Sequence, residues 1–128
     1  MRLKLLLIAL GGGAGSALRY LVTGWVQRLS TGAFPVGTLT VNVVGCFAIG
    51  LLNYLLLGPY LIREEYRLAI VTGILGGFTT FSSYGWETLS FTNDGAWLAA
   101  GANVMLNNGL GFFAAWSAYR LAETAFGA

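Results

Sequence analysis

An apolar run from about Leu68 to Phe91 carries at its centre the stretch Gly73-Ile-Leu-Gly-Gly-Phe-Thr-Thr-Phe-Ser-Ser-Tyr-Gly85. The run is long enough to cross a bilayer, and a spanning segment normally stays helical because lipid offers no partner for exposed backbone groups. Here four glycines and five hydroxyl-bearing residues crowd the same short stretch, a composition that weakens or breaks a helix. Broken backbone at membrane depth survives only where it is buried in protein or lines a polar path. The stretch therefore reads as an ion-handling site.

The rest of the chain agrees with a membrane setting. Of 128 residues 56% are hydrophobic and only 9% are charged, where soluble domains carry about a quarter charged residues. The expected fold is an all-α membrane protein, with 1–128 forming a single four-helix transmembrane domain. Its spans are expected at about 3–26, 36–57, 68–91 and 96–119, the third broken near the membrane centre. A net charge of +2, spread over scattered basic residues, argues against nucleic acid as a partner. The single cysteine, Cys46, allows no internal disulfide and reads as a small packed hydrophobe.

The N-terminus has a basic start, an apolar run and then small residues, as a secretory signal does. Cleavage near Ala17 would leave only three further apolar segments, so a first span is the better reading. Within it Gly11 and Gly15 lie one turn apart and form a small-residue face for close helix packing. Arg19 either snorkels to the headgroups or draws anions to a vestibule. Ser30 to Pro35 is a turn, and Gly58-Pro59 stops the second span. Asn42 is either interhelical glue or an N–H donor to an anion. Arg63-Glu-Glu-Tyr-Arg67 is a solvated, self-compensating loop. Asn103 and Asn107, four apart in the fourth span, share a face, and Asn108 follows them.

Nothing in the chain suggests an enzyme. There is no histidine to partner a nucleophile, no carboxylate pair inside a span and no metal-ligand cluster. Cation channels and proton-coupled carriers usually place acids in the spans. Here the one intramembrane acid expected is Glu87, away from the centre. What remains in mid-membrane is amides, hydroxyls and loosened backbone, whose donors suit an anion. Phe78, Phe81 and Tyr84 are three apart, hence expected on one side of a helix. Such a stripe either packs against neighbours or turns electropositive ring edges to an anion. So small a chain is expected to oligomerise, with Gly11/Gly15 and Gly73/Gly77 as candidate contact faces.

Three motifs in order, Gly11-Gly-Gly-Ala-Gly-Ser-Ala-Leu-Arg19, Gly37-Thr-Leu-Thr-Val-Asn42 and Thr72-Gly-Ile-Leu-Gly-Gly-Phe-Thr-Thr-Phe-Ser82, resemble the Fluc-type fluoride channels of the CrcB family. The resemblance covers the whole chain. It implies an antiparallel, dual-topology dimer with two narrow fluoride pathways that passively export fluoride and so confer resistance. It also implies a structural Na+ bound by backbone carbonyls, matching Gly76 and Thr79, at the dimer centre. Carried over by position, the fluoride pathway falls on Asn42, Phe81 and Tyr84, extended by Asn103 and Asn107. Arg19 and Glu87 match vestibule charges. Tyr84 departs from the family's usual second phenylalanine, and its hydroxyl would either donate to fluoride or turn the ring away. The implied partners are fluoride, a second copy of the chain and the lipid of a bacterial-type cytoplasmic inner membrane.

An antiparallel homodimer needs a weak topological bias. Four spans would put Arg2, Lys4, Arg63, Arg67 and Arg120 on one side, against Arg28, and Arg19 if it snorkels, on the other. An oppositely oriented relative is thus the alternative partner. Among other functions, a proton-coupled small multidrug exporter would need a carboxylate in the first span, which has none. A non-conducting assembly subunit would explain the glycine faces and asparagines as packing but not the concentrated break in the third span.

Overall fold

The computed structural model describes residues 1–127, and within them every regular element is helical. α1 runs Arg2–Leu29 and α2 runs Val36–Leu57. α3, Glu64–Leu68, continues without a turn into a π-helical stretch, Ala69–Leu75, and a short α4, Gly76–Phe78. After two extended residues the chain resumes as α5, Phe81–Asn93, and closes with α6, Trp97–Phe126. Among the described residues three helical segments are long and apolar enough to cross a membrane: Arg2–Leu29, Val36–Leu57 and Glu64–Asn93. α6 is the longest single helix at 30 residues, about 45 Å at the usual rise. Its asparagines, glycines, Arg120 and Glu123 dilute its hydropathy.

The packing inverts the soluble pattern. Trp25, Trp86, Met105, Phe112 and Trp116 face outward, whereas the interior is built from Val41, Phe78, Tyr84 and the alanines 100, 114, 118 and 122. Small residues let helix backbones approach closely where lipid tails compete equally well for large apolar side chains. Two seams show how close. A Cβ on Gly11 would overlap the Ala69 carbonyl, one on Gly15 the Ile74 carbonyl, and one on Gly77 the Gly12 carbonyl. α1 therefore lies directly on the π-helical stretch and α4. On the other side α2 packs along α6, where a Cβ on Gly50 would strike the Ala115 carbonyl. The side chain of Thr79 joins the two seams: its methyl sits in the notch left by Gly45 of α2.

This corrects one expectation. Gly11/Gly15 and Gly73/Gly77 are not free faces awaiting a second copy, because they are spent on each other within one chain. Spacing reveals a face that permits close approach, but both partners here carry that spacing. At the polar end Lys4 Nζ donates to Glu64 Oε2 at 2.5 Å, so the start of α1 and the start of α3 share one end of the bundle. At the opposite end Gln27 donates to the Phe34 carbonyl (3.1 Å) and accepts from the Gly37 amide (3.2 Å), which folds the Ser30–Pro35 loop back on α1.

Candidate functional site

The backbone leaves helical geometry at Thr79 (φ −84°, ψ 157°) and Thr80 (φ −148°, ψ 107°). Extended residues between helices strand backbone groups that need partners, and the sequence supplies them from a distance. Asn42 on α2 braces Thr80 at both ends. Its Oδ1 accepts from the Thr80 amide at 2.8 Å, and its Nδ2 donates to the Thr80 carbonyl at 3.1 Å. The Thr80 hydroxyl accepts from the Ser83 amide at 3.1 Å and so caps α5. Because its amide goes to Asn42, Thr80 does not return the helical bond to the Gly76 carbonyl four residues back. The Thr79 carbonyl accepts from Arg19 Nη1 at 3.2 Å.

A directed chain of amides leads away from the interruption. The second Nδ2 proton of Asn42 goes to Asn107 Oδ1 at 3.0 Å. Asn107 Nδ2 donates in turn to the backbone and side-chain oxygens of Asn103, at 2.9 and 3.0 Å. Asn103, fully buried at 0% exposure, donates to the Thr88 hydroxyl at 3.0 Å. The i, i+4 spacing places the two α6 asparagines in contact, and buried amides must be paired. Both protons of Asn42 are consumed within the chain in this arrangement.

A cleft of about 440 Å³ opens beside this chain. Asn42, Gly76, Thr79, Phe81, Tyr84 and Asn107 all line it, together with Gly45, Cys46, Asn108 and Phe112. Asn103 lies behind Asn107 and does not line it, and Arg19 and Glu87 stand outside it. Arg19 points inward to Thr79 rather than snorkelling to a headgroup. Glu87 accepts from the Thr38 hydroxyl at 2.5 Å through Oε1, while its Oε2 is buried with no partner.

The aromatic stripe is corrected. Phe78 is 7% exposed and packed inside, while Phe81 is 82% exposed. The rule that residues three apart share a helix face lapses when two extended residues intervene. Phe81 and Tyr84, both on α5, do pair, with ring centroids 5.4 Å apart and planes at 75°. The edge of one ring thus meets the face of the other.

Three contributors were not singled out from sequence. Thr80 is the braced residue, Thr38 is the partner of Glu87, and Asn108 donates to the Tyr84 hydroxyl at 3.0 Å. A hydroxyl beside a helix interruption signals a cap for Thr80. Asn108 is marked as an amide in an apolar run but its partner is not, and nothing local marks Thr38, because both partners lie far along the chain. Among the described residues no group of three or more His, Cys, Asp or Glu could hold a metal. Backbone carbonyls, side-chain amides and the hydroxyl-bearing Thr79 and Tyr84 supply the oxygens on offer at the cleft.

Comparison with known proteins bears on this arrangement. A family model described as "CrcB-like protein, Camphor Resistance (CrcB)" matches residues 6–119. The fluoride-specific ion channel FluC of Solibacter usitatus is 47% identical over 121 residues, covering 94% of this chain and 99% of that protein. The protein of the same name from Rhizobium etli is 44% identical over 115 residues, covering 90% and 92%. That of Roseiflexus sp. is 44% identical over 109 residues, covering 85% and 88%.

Proposed function

The chain belongs to the CrcB-like family, and from that premise we propose that it is a passive, selective fluoride channel that exports the anion from the cytoplasm and confers fluoride resistance. It is a membrane channel protein, not an enzyme. One observation carries the reading: in an otherwise apolar protein, Asn42, Phe81, Tyr84 and Asn107 converge on a single cleft beside the non-helical Thr79–Thr80. Hydroxyl donors, amides that exchange an intrachain partner for the ion, and electropositive ring edges together replace part of an anion's hydration without fixed positive charge. Binding is then favourable enough for entry and weak enough for release. Hydrogen fluoride enters a cell uncharged and ionises inside. The membrane potential then drives the anion outward at about 2.3 kcal/mol per charge per 100 mV, so neither ATP nor proton coupling is required.

In this reading α6 is the fourth span, the interruption lies near the membrane centre, and the membrane is a bacterial-type cytoplasmic one. The fluoride path follows Phe81 and Tyr84 past Asn42 and Asn107, with Asn103 ordering the amides behind them. Arg19 and Glu87 bias the vestibules. Two copies pair antiparallel, and Na+ is held between them by the Gly76 and Thr79 carbonyls. The donor set fits: the Gly76 carbonyl lacks its usual helical amide, and a hard cation takes carbonyl oxygens. The ion, when bound, supplies a fixed charge that ties the two interrupted helices together. The Thr79 carbonyl has two lone pairs, of which Arg19 takes one.

Fluoride efflux from liposomes carrying the purified chain tests the channel. Rapid efflux is expected, abolished in Asn42→Asp; efflux no faster than from protein-free vesicles would sink the proposal. Cysteines placed at the termini after removal of Cys46 test the pairing. Labelling from both sides is expected of an antiparallel homodimer, and labelling from one side only would point to an oppositely oriented relative as partner.

A further inference from the structure

We propose that Asn108 is a positioning residue that turns the Tyr84 hydroxyl into an anion donor facing the cleft. The inference rests on the channel reading above and deepens it. It begins with proton accounting. Asn108 Nδ2 contacts the Val104 carbonyl at 2.9 Å and the Tyr84 hydroxyl at 3.0 Å. A carbonyl can only accept, so the atom shared by the two contacts must be the amide nitrogen. Its two protons are then both assigned, one to each partner. The Tyr84 oxygen is therefore an acceptor toward Asn108, and its own proton must point elsewhere.

Among residues 1–127 no side-chain or backbone oxygen is paired to receive that proton, although Tyr84 is only 8% exposed. Tyr84 and Asn108 both line the cleft. The neighbouring amides offer no spare donor: Asn42 gives its protons to Thr80 and Asn107, and Asn107 gives its own to Asn103. The Tyr84 O–H is thus the uncommitted polar donor of this group. An N–H···O bond received by the phenol also polarises its O–H and strengthens it as a donor. A small, strongly hydrated anion gains most from such a group. The Phe81 ring, paired with Tyr84 at a centroid separation of 5.4 Å, carries no polar donor of its own.

The test measures fluoride flux against fluoride concentration for the reconstituted full chain, for Tyr84→Phe, for Asn108→Leu and for both together. Tyr84→Phe is expected to raise the half-saturating concentration about tenfold, the loss of one hydrogen bond to a charged group. Asn108→Leu should raise it several-fold, and the double variant should match Tyr84→Phe alone, because the asparagine acts only through the hydroxyl. An equal effect of Asn108→Leu in both backgrounds, or an unchanged Tyr84→Phe, overturns the proposal while leaving the channel reading standing. No flux in the wild type overturns both. A second readout does not depend on transport: the tyrosine Fermi doublet, taken as the Raman difference between wild type and Tyr84→Phe. It should show more acceptor character in wild type than in Asn108→Asp, whose carboxylate forces the phenol to donate. The reverse order overturns the proposal.

Discussion

The Arg19 guanidinium donates to the Thr79 carbonyl across 3.2 Å, tying the far half of α1 to the residue where helical geometry ends. The same oxygen is one of the two proposed to face sodium, so the arginine and the cation share a ligand and repel one another. Arg19→Met keeps much of the stem and removes the charge. It is expected to lose about 1.5–3 kcal/mol of stability in sodium-free detergent, the range for a hydrogen bond to a charged group. Added sodium should recover part of that loss, making the melting temperature depend more steeply on sodium than in the wild type. An unchanged sodium dependence would show that the Thr79 oxygen is not shared.

Asn42 acts on both ends of Thr80, so its loss should register in stability before transport. Asn42→Ala leaves the Thr80 amide and carbonyl and Asn107 Oδ1 without their partner. Each unsatisfied buried group costs about 1–3 kcal/mol. Thermal unfolding and fluoride efflux should fall together. If efflux collapsed while the unfolding temperature held, Asn42 would be a donor to the ion and not a brace.

The glycine seam gives a sharp positional contrast. A Cβ on Gly15 meets the Ile74 carbonyl, whereas one on Gly13 has nothing within 4 Å. Gly15→Ala should destabilise the protein by about 1–3 kcal/mol, because backbone cannot yield as a flexible side chain does. Gly13→Ala should be neutral or slightly stabilising, since alanine favours the helix. Comparable damage from both would mean that α1 does not lie on the π-helical stretch as described.

Much of this arrangement can be read along the chain, and the unread part has a common cause. Hydropathy locates the apolar runs because burial in lipid is a bulk property of each segment. The crowding of glycine and hydroxyls around Gly76–Ser83 announces irregular backbone for local steric reasons. Asn42 and Asn107 stand out because an amide in an apolar run demands a partner. Which partner is another matter. The choice of Thr80 for Asn42, Thr38 for Glu87 and Tyr84 for Asn108 depends on how the helices cross. Phe78 shows the limit from the other side. Its spacing to Phe81 is right for a stripe, but two extended residues between them send one ring inward and the other out. The glycine faces were visible as faces, and only the packing shows that they spend themselves on each other.

Glu87 poses the last question, because its two oxygens are treated so differently. Oε1 accepts from Thr38 at 2.5 Å, while Oε2 is buried without a partner. Where it is ionised, a carboxyl at the vestibule that Glu87 is proposed to bias opposes an entering anion. Glu87→Gln keeps the shape and the bond from Thr38, removes the charge, and puts an amide donor where the orphaned oxygen stood. It is expected to fold as well as the wild type and to raise fluoride efflux several-fold at low ionic strength, with the gain shrinking as salt screens the vestibule. Efflux that is unchanged, or lower with the fold intact, would remove Glu87 from the ion's electrostatic path and leave it as a tether for Thr38 and α2.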